Sequence, residues 1–171
     1  MDERDFDDFY TASYRRLTGQ VYAMIGNLDE AQECVQEAFV RAWAHRGKLD
    51  KTDHPEAWVR VTAHRLAVSR WRRTRLALRS PDRALSVPLT TPAADETHVA
   101  LVEALRQLPE AQRQVIVLHH IADLPVHAVA AEVGVAEGTV KARLSRGRTA
   151  LAALLSDDTL HTELPGGSHH A

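Results

Sequence analysis

The sequence predicts an all-α protein: two small helical domains joined by an extended linker. Three observations carry that prediction. Apolar residues recur at helical spacing on both sides of a central gap, from Phe6 to Leu66 before it and from Val99 to Leu151 after it. The gap itself, Arg79 to His98, holds Pro81, Pro88 and Pro92 and has no helical period, as an extended connection would. All nine aromatic residues lie between Phe6 and Trp71, so the second domain is expected to have an aliphatic core of its own. The boundaries that follow are 1–78, a linker at 79–97, a second domain at 98–156 and a tail at 157–171 with weak patterning, expected to fray. A chain of 171 residues, 44% hydrophobic, is long enough for two such domains.

The first helix is carried by Phe6, Phe9, Tyr10, Tyr14, Leu17, Val21, Met24 and Ile25, and Gly26 and Asn27 break the period. A second helix begins just after, with Asn27 and Glu30 or Asp29 and Gln32 as alternative capping boxes. It buries Ala31, Val35, Ala38, Phe39 and Ala42, and turns Asp29, Glu33 and Glu37 to the opposite face. Like charges at that spacing oppose an isolated helix by a few tenths of a kcal/mol per pair. They suit either a solvated face, partly offset by a Glu37 to Arg41 pair, or a basic partner. Gly47 to His54 reads as a polar loop, and Pro55 sits well as the first residue of a third helix. Trp58 and Leu66 can pack inward there. Arg60, His64, Trp71, Arg72 and Arg73 surround the same helix and cannot all be buried. Aromatics among arginines suit stacking on bases and neutralising phosphate, although Trp71 is equally suited to anchoring a core.

Beyond the linker, Val99, Val102 and Leu105 start the second domain, and Leu108-Pro109-Glu110 opens a helix whose stripe is Val115, Leu118 and Ile121. Pro125 to Leu151 then reads as a helix-turn-helix. Val126, Val129, Ala130 and Val133 form the buried stripe of its first helix, and Gly134 stands where a left-handed C-cap is needed. In its second helix Val140, Leu144, Gly147 and Leu151 share one face. That turns Ala142, Ser145, Arg146 and Thr149 outward, with Lys141 and Arg148 at the flanks. Basic edges around short central side chains suit a major groove, although helix-turn-helix geometry also occurs in bundles that never meet nucleic acid.

The formal net charge of −2 conceals an uneven distribution. Eight arginines and one acid, Asp82, lie between Arg60 and Arg83, and Gly138 to Ser156 holds four basic residues and no acid. Acids gather instead at Asp2 to Asp8 and Asp29 to Glu37. The ten histidines show no zinc spacing, and no phosphate loop, nucleophile elbow or defensible triad appears, so neither a metal, a cofactor nor catalysis is expected. A single cysteine, Cys34, excludes an internal disulfide. No apolar run matches a membrane span, and the acidic start is unlike a signal peptide, so a cytoplasmic protein without membrane insertion is expected.

Taken in order, these motifs resemble bacterial RNA polymerase sigma factors of the extracytoplasmic function group, within the sigma-70 superfamily. Asp29 to Trp43, DEAQECVQEAFVRAW, is similar to the region 2 helix that docks on the polymerase clamp. The resemblance gives Asp29, Glu33, Gln36 and Glu37 that role. Trp58 to Arg73, WVRVTAHRLAVSRWRR, resembles the segment that engages and melts the minus-10 element, which implies DNA contacts by Arg60, His64, Arg65, Trp71, Arg72 and Arg73. LPEAQRQVIVLHH with AAEVGVAEGTVKARLSRGR resembles region 4, in which Thr139, Lys141, Ala142, Arg143, Ser145, Arg146 and Arg148 would read the minus-35 element. The implied partners are core polymerase, through its clamp and flap, promoter DNA as duplex and as single strand, and an anti-sigma factor. An extruded base would be held near the Gly47 to His54 loop, and the linker would run through the polymerase. The chain departs from the family at several positions. Ala63-His64-Arg65 stands in place of Ala-Arg-Asn, and Ala142 in place of a serine. Gly147 replaces an alanine. Ala136 replaces a capping serine or proline, at an expected cost of about 1 kcal/mol. A free-standing helix-turn-helix regulator is the alternative function.

Overall fold

A computed structural model of the chain describes residues 1–77 and 96–162. For Trp71, Arg72, 74–77, 96–97 and 157–162 only the backbone is described. All regular structure among the described residues is helical: α1 (Glu3–Ile25), α2 (Leu28–Ala44), α3 (Arg46–Leu49), α4 (Pro55–Ala77), α5 (Glu96–Gln107), α6 (Glu110–Ile116), a π-helical turn (Val117–Ile121), α7 (Val126–Val133) and α8 (Glu137–Thr162). The linker expected at 79–97 lies outside the described residues except for its last two, which already belong to α5.

Local chemistry sets the ends of these helices. Asp2 and Asp5 form a reciprocal capping box at the start of α1, the Asp2 side chain accepting from the Asp5 amide at 2.9 Å. Gly26 closes α1 in the left-handed conformation, φ 75°, with its N–H donating to the Tyr22 carbonyl at 2.7 Å. Asn27 then caps α2 by accepting from the Glu30 amide at 3.0 Å, which decides between the two boxes the sequence allowed. The supposed loop after α2 starts as the single helical turn α3, which buries Leu49.

Helices α1, α2 and α4 enclose a first core around Leu17, Val21, Val35, Phe39, Val59 and Ala63. Phe6 closes one end of it, edge-on to Phe39 and Trp43 with ring centroids 6.2 and 5.1 Å away. A second, aliphatic core gathers Leu105, Val115, Leu118, Val129, Val140 and Leu144 from α5 to α8. The two cores are distinct and adjoin. Ala23 and Met24, at the end of α1, belong to the second core, and Val102 of α5 belongs to the first.

Two further departures concern the helix period. The segment after α6 widens into a π turn, closed by the Ala122 N–H on the Val117 carbonyl at 2.9 Å. A wider turn rotates each residue by less, so Ile121 leaves the stripe of Val115 and Leu118 and is 40% exposed. Helix α8, expected to end near 156, continues to Thr162.

Candidate nucleic-acid interface

At the C-terminal end, α7 and α8 meet through a turn built on Gly134. Its φ of 72° lets its own N–H and that of Val135 both reach the Ala130 carbonyl, at 2.9 and 3.2 Å. Ala136, lacking a capping side chain, starts α8 through its carbonyl alone, which accepts from Thr139 and Val140 at 3.0 and 3.1 Å. Burying Val140 and Leu144 contributes about 1.5–3 kcal/mol each and fixes the roll of the helix. Gly147 completes the buried side: a Cβ there would stand 2.9 Å from Ile116 Cγ1, so the absence of a side chain lets α8 lie close against α6.

That roll leaves Thr139, Lys141, Ala142, Ser145, Arg146 and Arg148 exposed, and Arg143 half-buried. The surface therefore has cations at its edges and a methyl and a hydroxyl at its centre. Arg148 is held in place, its Nε donating to His120 Nε2 at 3.1 Å. Burial, with His119 and Arg148 nearby, keeps the His120 pKa below its ordinary value, and the neutral ring is the form that can accept this bond. An α-helix with this surface can enter a major groove, with guanidinium groups on phosphates and base edges.

In the N-terminal helices, Asp29, Glu33 and Gln36 are exposed on α2 and Glu37 is half-buried. Two of the acids already have basic neighbours. Glu33 meets Arg70 of α4 at 2.9 Å, and Glu37 meets Arg41 at 2.9 Å. Gln36 Nε2 donates to the Tyr14 hydroxyl at 3.4 Å. Asn27, Asp29, Glu30 and Glu33 face Arg70 and Arg73 across an open cleft of about 520 Å³, so the acidic end of α2 and the basic end of α4 are neighbours. Sequence reasoning counted Arg70 in a basic zone but missed this pairing. It also passed over Val40 and Trp43, which are 67% and 36% exposed beside Gln36. With Tyr10 and Phe39 they line an apolar groove of about 440 Å³. The signal was present: neither Val40 nor Trp43 falls on the stripe that α2 buries.

Helix α4 separates the residues expected to touch DNA. Arg65 and Arg73 are exposed, and the side chains of Trp71 and Arg72 lie outside the described residues. Arg60 is only 3% exposed. Its Nε and Nη2 donate to the two carboxylate oxygens of Glu132 on α7, at 2.8 and 2.7 Å, and its Nη1 donates to Gln20 of α1 at 3.0 Å. His64, one turn on, is partly covered, and burial holds its pKa below 6.5 despite Glu110 and Glu132 nearby. The structure thus brings the α8 residues together on one open face and draws Arg60 and His64 away from the open residues of α4. Among the described residues, no three His, Cys, Asp or Glu side chains are grouped to hold a metal, and no helix is long and apolar enough to cross a membrane.

Comparison with known proteins adds to this geometry. The family described as Sigma-70 region 2 matches residues 9–77, and Sigma-70, region 4 matches residues 98–151. The extracytoplasmic function (ECF) RNA polymerase sigma factor EcfG of Rhodopseudomonas palustris is 29% identical over 154 residues, 88% of this chain and 85% of the relative. The ECF RNA polymerase sigma factor SigL of Mycobacterium tuberculosis is 32% identical over 142 residues, 78% of this chain and 79% of the relative. In fold, the chain is similar to the sigma factor RpoE of Bartonella quintana, solved in complex with the anti-sigma factor NepR. The TM-score is 0.75 at 23% identity, covering 90% of this chain and 98% of the other.

Proposed function

The chain belongs to the sigma-70 family, as an RNA polymerase sigma factor of the extracytoplasmic function group, and we propose how its two ends share the work. As such a factor it directs RNA polymerase to specific promoters in transcription initiation, in a family that is not one of enzymes. The observation that carries the assignment of parts is the open cationic face of α8, backed by its own core. Residues 98–156 anchor upstream duplex at the minus-35 element, with Thr139, Ala142, Ser145 and Arg146 toward base edges and Lys141, Arg143 and Arg148 toward phosphates. Residues 1–78 dock on the polymerase clamp and open the minus-10 element. Asp29, Glu33, Gln36 and Glu37 face the clamp, and Val40 and Trp43 add apolar area beside them. Arg60, His64, Arg65, Trp71, Arg72 and Arg73 take the non-template strand, where an extruded base offsets part of the cost of unpairing. Residues 79–97 thread the polymerase between these ends, and the flap receives the C-terminal domain. The protein works in the cytoplasm beside the polymerase. An anti-sigma factor is a further partner, by analogy with the Bartonella quintana complex.

In vitro transcription with core polymerase on a library of genomic fragments tests this reading. Added protein should create start sites that share one upstream pair of elements, with single-stranded character at the downstream one. No new start sites, together with tight binding of the protein alone to a palindromic duplex, would make it a free-standing regulator instead.

A further inference from the structure

Among the cations of the α8 face, one is already held. Lys141, Arg143 and Arg146 make no side-chain hydrogen bond or ion pair with the described residues. Arg148 does: its Nε donates to His120 Nε2 at 3.1 Å, 28 residues back along the chain. A guanidinium presents its N–H donors in a planar fork and can meet an anion side-on, through Nε and one Nη, or end-on, through both Nη. With Nε committed to His120 the side-on approach is closed. The N–H groups of Nη1 and Nη2 have no partner among the described residues, and they form the end-on edge that matches two oxygens of a phosphate.

The fold builds this hold from two sides. Gln112, Ile116 and His120 are spaced by four along α6 and the π-helical turn, so they lie in one row. The first two press on the space above Gly147, where a Cβ would stand 3.5 Å from Gln112 Cβ and 2.9 Å from Ile116 Cγ1, and the third meets the next residue, Arg148. The close approach at the glycine thus brings the imidazole within reach of the guanidinium. His119 steadies His120 from the other side. Its Nδ1 lies 2.8 Å from the Leu124 carbonyl, which can only accept, so that nitrogen carries the proton. The Leu124 N–H in turn donates to the Leu118 carbonyl at 3.0 Å. The ring fixed in this way stands edge-on to His120, with centroids 4.8 Å apart and planes at 72°. His120 and Arg148 are both exposed, so their bond does not serve to close the core.

We infer that His120 is a positioning residue for duplex binding: by holding Arg148 Nε it sets the terminal edge of the guanidinium toward one phosphate beside the reading helix. The inference rests on the assignment of the α8 face to duplex DNA and adds the residue that prepares one of its contacts. Phosphate contacts fix the register of a protein on the duplex. A cation already in place makes such a contact at lower cost, because a long side chain otherwise loses its rotamer freedom on binding. Arg148 is therefore the fixed point of the interface, and Lys141, Arg143 and Arg146 settle around it. His120 acts through Arg148, without contact to DNA.

The test uses the full-length protein with His120→Leu, which removes the acceptor, and His120→Gln, whose amide oxygen takes the place of Nε2, each combined with Arg148 and with Arg148→Ala. Without DNA, nitrogen-15 NMR reads hydrogen exchange at Arg148 Nε, with Arg146 Nε as the unpaired reference. Anisotropy reads binding to a random-sequence duplex over a range of salt. Arg148 Nε–H should exchange more slowly than Arg146 Nε–H in the unmodified protein and in His120→Gln, and as fast in His120→Leu. Duplex binding should weaken about two- to tenfold in His120→Leu, the cost of ordering one long side chain, and stay within about twofold in His120→Gln. Arg148→Ala should lower the salt slope by about one, and in that background His120→Leu should have no further effect. Equal exchange at the two Nε–H groups of the unmodified protein overturns the hold itself. A His120→Leu that weakens binding equally in both backgrounds, or a His120→Gln as weak as His120→Leu, overturns the positioning of Arg148 and leaves the DNA assignment of α8 standing. An unchanged salt slope in Arg148→Ala removes Arg148 from the duplex and His120 with it. A protein that binds no duplex at any salt overturns both the assignment of the face and the positioning.

Discussion

Gly147 gives the sharpest quantitative consequence of the way α8 is seated. Placing alanine there adds a Cβ 2.9 Å from Ile116 Cγ1, 3.3 Å from its Cδ1 and 3.5 Å from Gln112 Cβ. Helix propensity alone would favour the change by about 1 kcal/mol. Against this, Ile116 is 3% exposed within the second core and must shift against its neighbours, an overpacking cost of about 1–3 kcal/mol. Gly147→Ala should therefore destabilise by up to about 2 kcal/mol, and at roughly 2–4 °C per kcal/mol for a chain of this size the melting temperature should fall by a few degrees. Ile116→Ala removes the opposing atoms and by itself costs about 2–5 kcal/mol. In that background Gly147→Ala meets no clash and should now stabilise, by about 1 kcal/mol. Urea unfolding of the four proteins in the cycle measures the coupling, expected at about 1–3 kcal/mol. Gly147→Ala stabilising by the same amount in both backgrounds would refute the idea that glycine is required here by the approach of α6 and α8. Duplex binding should fall with the first variant and recover in the pair, because the same contact sets the tilt of the reading helix.

Two further outcomes follow from the surface. Arg146→Ala should weaken duplex binding by about 1–3 kcal/mol and relax preference at one base pair if the side chain reads a base, whereas a uniform loss across sequences would make it a phosphate contact; binding to a randomised minus-35 library distinguishes them. Glu33→Lys with Glu37→Lys should abolish association with core polymerase at unchanged helix content, and Val40→Asp alone should weaken it by tenfold or more, about 1.4 kcal/mol, because its exposed site costs little in folding; normal co-purification would remove α2 from the docking surface.

Much of the helical framework was legible because its cause is local. A repeat of 3.6 residues places Val126 with Val129 and Ala130, and Val140 with Leu144, and a glycine follows α1 and α7 at the position where the chain must turn left-handed. The same logic exposed the face of α8. It failed where the period itself changed, at the π turn, so that Ile121 was assigned to a stripe it leaves. It also missed what depends on partners distant in sequence. Glu33 and Arg70 are an acid and a base on different helices, and nothing between them indicates that they pair.

Arg60 illustrates the more general difficulty. A guanidinium in a basic helix suits a phosphate, and five donors in a planar fork suit a carboxylate equally well. Composition therefore predicts an anion beside Arg60 without saying which. The fold supplies Glu132, 72 residues further along the chain. The same holds where the two cores adjoin: Ala23 and Met24 of α1 are buried with Leu105 and Val115 from far along the chain, a neighbourhood that the period of α1 alone does not specify.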